Sequence, residues 1–112
     1  MQTMHSVSID EGLGADGASC FFIKLQGPEC EVNVTASARE LEELRAVGTA
    51  RWLDRKSLRI GRCLGTPVFW SLQDGRLSVL VGPDDETWEV GYSAPESIVT
   101  TLLQEMDRVR VK

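Results

Sequence analysis

The sequence predicts a single α+β domain of 112 residues, with one curved, mostly antiparallel sheet and two amphipathic helices packed on one face. Several short runs alternate apolar and polar residues, as strands with one buried face do. Turn dipeptides such as Gly27-Pro28 and Asp74-Gly75 join consecutive runs, and strands joined by tight turns are antiparallel. Two other stretches carry apolar residues at helical spacing. The predicted order is β-β-β-α-β-β-β-β-α, and a half-barrel plugged by the last helix is the alternative.

The first strand is predicted around Val7 and Ile9, which alternate with serines. The next segment, Asp10 to Gly17, contains three glycines and three acidic residues and is predicted to be a flexible connection. Its glycines spell G-x-G-x-x-G, but a strand pattern follows them. No helix N-terminus is therefore predicted there to hold a phosphate.

The second and third strands, Ala18–Gln26 and Glu29–Thr35, are predicted to form a hairpin closed by Gly27-Pro28. A two-residue turn sets the register of the hairpin. The predicted pairs are Leu25–Cys30, Lys24–Glu31, Ile23–Val32, Phe21–Val34 and Cys20–Thr35.

The first helix is predicted to begin at a capping box, in which Ser37 and Glu40 exchange side-chain to backbone hydrogen bonds. Its apolar stripe is Ala38, Leu41, Leu44 and Val47. Gly48 is placed to end this helix as a C-terminal cap. After an ambiguous connector, a fourth strand is predicted around Leu58 and Ile60.

Three further strands are predicted between Thr66 and Tyr92. Asp74-Gly75 between alternating runs is a strong hairpin signal, because both central residues of a type I′ turn need a positive φ. That turn sets Trp70 opposite Val79, and we expect both side chains to be buried. Trp88, Val90 and Tyr92 share one face of the third run.

The last helix is predicted to start at a second capping box, Ser93 to Glu96, with Pro95 in its first turn. Its apolar positions are Ile98, Val99, Leu102, Leu103 and Met106. This wide stripe is suited to lying on a sheet.

Composition indicates a soluble, cytoplasmic protein. Hydrophobic residues make up 42% of the chain, but no apolar run approaches the ~20 residues of a membrane span. The N-terminal residues have neither the basic nor the apolar region of a secretory signal. The three cysteines, an odd number, fit a reducing compartment better than a disulfide framework.

Charge is unevenly distributed along this acidic chain, whose net charge is −5. We call residues 51–62 the basic window; its cations are Arg51, Arg55, Lys56, Arg59 and Arg62. We call residues 84–89 the acidic turn; its carboxylates are Asp84, Asp85, Glu86 and Glu89. The net negative charge argues against nucleic-acid binding, which needs a positive surface.

Neither catalysis nor a cofactor or metal is predicted. His5 is the single histidine, and nothing in the spacing places it beside Cys20, Cys30 or Cys63 as a nucleophilic pair. The cysteines lack a C-x-x-C arrangement, so a zinc site is not expected. The acidic turn lacks the alternating oxygens and central glycine of an EF-hand loop.

In size, acidity and its acid-tipped hairpin GPDDETWE, the chain resembles the small cytoplasmic immunity proteins of bacterial polymorphic-toxin systems. The resemblance implies a non-catalytic protein that neutralises a toxin domain, commonly a basic one, by stoichiometric binding. The predicted partner-binding residues are Asp84, Asp85, Glu86 and Glu89, with Arg55, Arg59 and Arg62 as a second candidate surface. The alternative is a homodimeric structural or regulatory accessory protein that uses an exposed sheet edge. A small enzyme or a nucleic-acid binder ranks below both.

Overall fold

The computed structural model describes residues 5–13, 17, 19–28, 30–54, 56–84 and 90–110. Seven strands of this part form one open antiparallel sheet in sequence order. The strands are β1 Ser6–Leu13, β2 Ser19–Gln26, β3 Glu31–Ser37, β4 Leu58–Cys63, β5 Thr66–Gln73, β6 Arg76–Val81 and β7 Val90–Pro95. The helices are α1 Ala38–Glu43 and α2 Ile98–Arg110, with 3₁₀ turns at Leu44–Thr49 and Trp52–Asp54. The predicted α+β class and element order are confirmed.

One face of the sheet and one stripe of each helix form a single core, because strand side chains alternate between the two faces. The sheet contributes Ile9, Ile23, Leu25, Val34, Val68, Trp70, Leu77, Val79 and Tyr92, all buried. The helical segments contribute Leu41, Leu44, Val47, Leu102 and Met106. Both helices therefore pack on the same face, as predicted.

The sheet is curved strongly enough to bring its two ends together. The Tyr92 hydroxyl on β7 donates to the backbone carbonyl of Gln26 on β2, at 3.2 Å, although four strands separate β2 and β7. Helix α2 follows β7 and lies along β1, where Arg108 Nη2 donates to the carbonyl of Ile9 at 2.8 Å.

The central hairpin has the predicted register. Trp70 lies opposite Val79, and the turn residues Asp74 and Gly75 have φ angles of 52° and 74°. The Trp70 side chain is fully buried, and its Nε1 donates to the Ile60 carbonyl at 3.0 Å. The prediction that Trp70 and Val79 are core residues is confirmed.

The β2–β3 register differs from the prediction by two residues. Gln26 lies opposite Glu31, and the backbone N–H of Gly27 donates to the carbonyl of Cys30 at 2.8 Å. The connection therefore spans residues 27–30 rather than two residues. The observed pairs include Leu25–Val32, Lys24–Asn33, Ile23–Val34, Phe21–Ala36 and Cys20–Ser37. A two-residue shift leaves every side chain on its predicted face, so alternation alone does not distinguish the two registers.

Several predicted element boundaries are wrong. Strand β1 continues to Leu13, into the segment predicted to be a flexible connection, of which residues 14–16 lie outside the described part. The second capping box does not form, because β7 runs to Pro95 and α2 starts at Ile98. The Ser93 hydroxyl instead accepts from Arg76 Nε at 2.7 Å. Pro95 is tolerated in β7 because this is an edge strand.

The first helix begins as predicted and ends earlier. Its capping box at Ser37 and Glu40 is present, with the Ser37 hydroxyl accepting from the Glu40 backbone N–H at 3.1 Å. Regular α-helix stops at Glu43, and the chain tightens into 3₁₀ geometry through Thr49. The predicted apolar stripe is kept, since the 3₁₀ turn still buries Leu44 and Val47.

Candidate functional site

A β-bulge interrupts β4 where it meets β3. The β4–β5 register shifts between Arg59 and Arg62, and Thr35–Arg62 is the one described pair between β3 and β4. Gly61 has a φ of 77°, and a Cβ there would stand 2.8 Å from the Thr35 carbonyl oxygen. Only glycine fits this close approach.

The Glu40 carboxylate joins α1 to this bulge. Its Oε1 accepts from the Ser37 backbone N–H at 3.0 Å, and its Oε2 accepts from the Gly61 N–H at 2.9 Å. Burial by itself would raise the pKa of Glu40, but the hydrogen bonds from Ser37 and Gly61 outweigh it and lower the pKa. The position of β4 therefore depends on an ionised side chain of α1.

An open cavity of about 520 Å³ lies beside the bulge. Its lining is Ser19, Cys20, Thr35, Ala36, Ser37, Glu40, Arg62, Leu64 and Gly65. Leu64 and Gly65 form the β4–β5 turn, with φ angles of 51° and 86°. Leucine rarely adopts this left-handed conformation, which costs about 1–2 kcal/mol relative to the right-handed one.

The turns after β4 and β6 lie at the same end of the sheet, and we call residues 62–67, 81–84 and 90 there the turn surface. Arg62 pairs with Pro67, whose carbonyl accepts from the Gly82 N–H at 3.1 Å. Val90 pairs with Val81 at the start of β7. The Leu64 side chain is fully exposed, with a relative accessibility of 102%, and Val90 is 46% exposed. Leu64 and Val90 are thus exposed apolar groups at this end of the sheet.

The predicted partner-binding residues fall in three places. Asp84 is exposed within the turn surface, while residues 85–89 of the acidic turn lie outside the described part of the chain. Arg62 is exposed and lines the cavity beside the bulge. Arg59 is exposed on the outer face of the sheet opposite Phe69, and Arg55 lies outside the described residues. Arg62 and Asp84 therefore lie at the same end of the sheet, whereas Arg59 lies on its outer face.

A second, smaller pocket of about 210 Å³ lies where the curved sheet brings β7 close to the β2–β3 turn. Its lining is His5, Gly27, Pro28, Cys30, Arg76, Tyr92 and Ser93. His5 Nδ1 lies 3.2 Å from the Tyr92 hydroxyl. Burial raises the pKa of Tyr92; the nearby Cys30 adds to this effect and Arg76 opposes it. Sequence reasoning missed this group because three distant segments supply it.

The outer edge of β1 is occupied at Ile9 by side chains of α2. The Ile9 carbonyl accepts from Arg108, and the Ile9 N–H donates to the Glu105 carboxylate. The pKa of Glu105 is lowered, mainly by its hydrogen bond with Arg108 and further by the one from Ile9. Covered edges resist pairing with another strand.

Within the described residues, no group of three or more histidine, cysteine or acidic side chains is arranged to hold a metal ion. None of the helices in that part of the chain is long and apolar enough to cross a membrane. Searches with the chain find no matching family model, no similar curated protein and no similar solved structure.

Proposed function

We propose that this protein is a non-catalytic binding module of the immunity type, which neutralises a basic toxin domain by stoichiometric binding through its turn surface. The observation that carries the proposal is Leu64, a fully exposed leucine in a left-handed turn beside an open cavity. Strained backbone held by its surroundings is typical of functional sites.

Leu64 is costly to the free protein in two ways. Its backbone conformation is unfavourable, and its side chain gains nothing from burial in the isolated chain. Covering a leucine completely stabilises a complex by about 1.5–3 kcal/mol. Val90 on the same surface adds apolar area that a partner covers together with Leu64. Leu64 thus has the character of an anchor at the centre of an interface.

Charge favours a basic partner for this surface. Asp84 is exposed, and the sequence continues directly into Asp85, Glu86 and Glu89. Acidic groups at the rim of an apolar patch attract a cationic protein surface and accelerate its association. Arg62 gives the patch one cation, which sets the orientation of the partner by pairing with an acidic residue on it.

The homodimer alternative is less favoured by the geometry at β1. Pairing of two β1 strands would have to displace the hydrogen bonds that Glu105 and Arg108 make to Ile9. Edge pairing at β7 meets Pro95, which has no N–H to donate.

The test uses the toxin-like domain that the neighbouring reading frame encodes, if one is present there. We expect the purified chain to form a 1:1 complex with that domain and to abolish its activity at equimolar concentration, as measured by calorimetry and by rescue of growth on co-expression. A neighbouring domain that keeps its full activity at a several-fold excess of the chain would overturn the proposal.

Matched leucine variants locate the interface. Leu64→Ser should weaken the complex about tenfold or more, which corresponds to about 1.4 kcal/mol. The control is Leu53→Ser, because Leu53 is 93% exposed but lies beside Asp74, at the opposite end of β5. Equal effects of the two substitutions would place the interface elsewhere.

A further inference from the structure

The hydrogen bonds around Tyr92 determine which nitrogen of His5 carries a proton. The Gln26 carbonyl only accepts, so the Tyr92 hydroxyl donates to it, at 3.2 Å. The hydroxyl oxygen is then left to accept from His5 Nδ1, also at 3.2 Å. His5 is therefore the Nδ1–H tautomer when neutral, and protonation adds a second N–H at Nε2.

Arg76 brings a second cation to the same pocket. Its Nε donates to the Ser93 hydroxyl at 2.7 Å, which fixes the guanidinium at the rim, and it forms no ion pair with a described residue. The terminal nitrogens of a guanidinium match two oxygens of one carboxylate or phosphate group. Arg76 is thus oriented by Ser93 while its terminal nitrogens keep the capacity for such a contact.

The pocket has an unusual charge balance for this chain. Its described lining contains His5 and Arg76 and no carboxylate, although the protein carries a net charge of −5. The larger cavity beside the bulge differs, because the Glu40 carboxylate lies opposite its arginine. At about 210 Å³ the small pocket is below the usual size of a drug-sized site.

We propose that this pocket binds a small oxyanion, a carboxylate or phosphate group, between the Arg76 guanidinium and the protonated His5 ring. The Ser93 hydroxyl holds Arg76 in place, and the Tyr92–Gln26 bond holds the imidazole. The site is distinct from the turn surface and does not depend on the function proposed for it.

Binding in this pocket depends on pH through His5. Among the described residues, the titratable and charged groups that line the pocket with it are Cys30, Arg76 and Tyr92. The start of α2 faces His5 with Ser97, Ile98 and Thr101, which carry no charge. A bound anion stabilises a protonated ring through its opposite charge. The oxyanion should therefore bind more tightly as the pH falls, and should favour the protonated ring.

The chain offers a clean readout, because His5 is its only histidine and Tyr92 its only tyrosine. We would follow the His5 ring protons by NMR against pH, with inorganic phosphate, with acetate, and with sodium chloride at matched ionic strength. A tenfold preference of an anion for the protonated ring moves the titration midpoint upward by about one pH unit. A shift with phosphate only, with acetate only or with both supports the proposal and identifies which group fits.

Arginine variants distinguish a site from general screening. Arg76→Gln should remove the anion-dependent shift, whereas Arg59→Gln, an exposed arginine on the outer face of β4, should leave it intact. Phosphate should also slow alkylation of Cys30, which lines the pocket, relative to Cys63, which does not. A midpoint that moves equally in chloride, or no shift with either anion in the unsubstituted protein, would overturn the proposal.

Discussion

Trp70 shows how one residue connects sequence pattern, packing and stability. It lies on the inner face of β5 opposite Val79, fully buried, and its indole N–H has a partner in the Ile60 carbonyl. A buried indole needs such a partner, because an unsatisfied donor would cost free energy. The bond also ties β5 to β4 beside the bulge.

Trp70→Ala should lower the free energy of unfolding by about 3–5 kcal/mol, as other large core deletions do. Trp70→Phe keeps most of the apolar volume but leaves the Ile60 carbonyl without its donor, so a smaller loss is expected. Urea denaturation followed by circular dichroism measures both. A loss below about 1 kcal/mol for the alanine variant would contradict the burial of Trp70.

Substitution of Leu64, unlike that of Trp70, should not lower the free energy of unfolding. Leu64→Gly removes a left-handed strain of about 1–2 kcal/mol and adds about 0.5–1 kcal/mol of backbone entropy cost. The variant should therefore be as stable as the unsubstituted protein or slightly more so, while it loses the partner. A clear decrease in the urea midpoint would show that Leu64 contributes to the fold rather than to binding.

At the scale of elements, Glu40 links the start of α1 to the bulge of β4. The pKa of Glu40 is lowered in the folded state, so its contribution to stability is present above the ordinary value of about 4.3. This contribution is lost as the pH falls through the lower, folded-state pKa.

Glu40→Gln should cost about 1 kcal/mol at pH 7, as the loss of other helix caps does. The difference between the two proteins should shrink at a second, acidic pH below the lowered pKa of Glu40, where the native carboxyl is protonated as well. Glu43→Gln is the control, because its side chain is half-exposed and pairs only loosely with Arg39, at 3.7 Å. Denaturation curves that differ by the same amount at both pH values would disprove the role of the Glu40 charge.

Helix α2 also acts on a neighbouring element, since Glu105 and Arg108 cover the edge of β1 at Ile9. Replacing both with alanine should speed hydrogen exchange at the Ile9 amide. The rate should rise about tenfold for each 1.4 kcal/mol by which the free energy of local opening falls. The Ile23 amide, in the adjacent strand, serves as the internal reference. Unchanged exchange at Ile9 in the double variant would mean that the two side chains do not protect this edge.

At the scale of the whole molecule, we expect the uneven charge to steer the approach of a basic partner. Replacing Asp84, Asp85 and Glu86 with Asn, Asn and Gln should slow association with a basic partner and flatten its dependence on ionic strength. Stability should hardly change, because each substitution replaces a carboxylate with an amide of the same shape. Stopped-flow measurement of the association rate at low salt tests this prediction. Unchanged rates would direct attention to the basic window, with Arg59 and Arg62 tested against an acidic partner.

Local patterns in the sequence determined the elements and their faces. Asp74-Gly75 set the β5–β6 register because the turn and the alternation on both sides agree on one pairing. Ser37 and Glu40 predicted the start of α1 correctly, because a capping box involves only residues three positions apart in the sequence. The acidic turn, one part of the candidate surface, could also be predicted from local sequence, because its carboxylates are close together in the chain.

Long-range packing decided the rest. The β2–β3 register differed by two residues because both registers bury the same side chains, and only the fold around the turn separates them. Ser93 to Glu96 resembled a helix start, but pairing with β6 kept the chain extended to Pro95. His5, Arg76 and Tyr92 meet because the sheet curves, and Leu64 is strained because the β4–β5 turn requires positive φ at that position. Curvature and turn strain are properties of the assembled sheet, so they cannot be predicted from any short stretch of sequence.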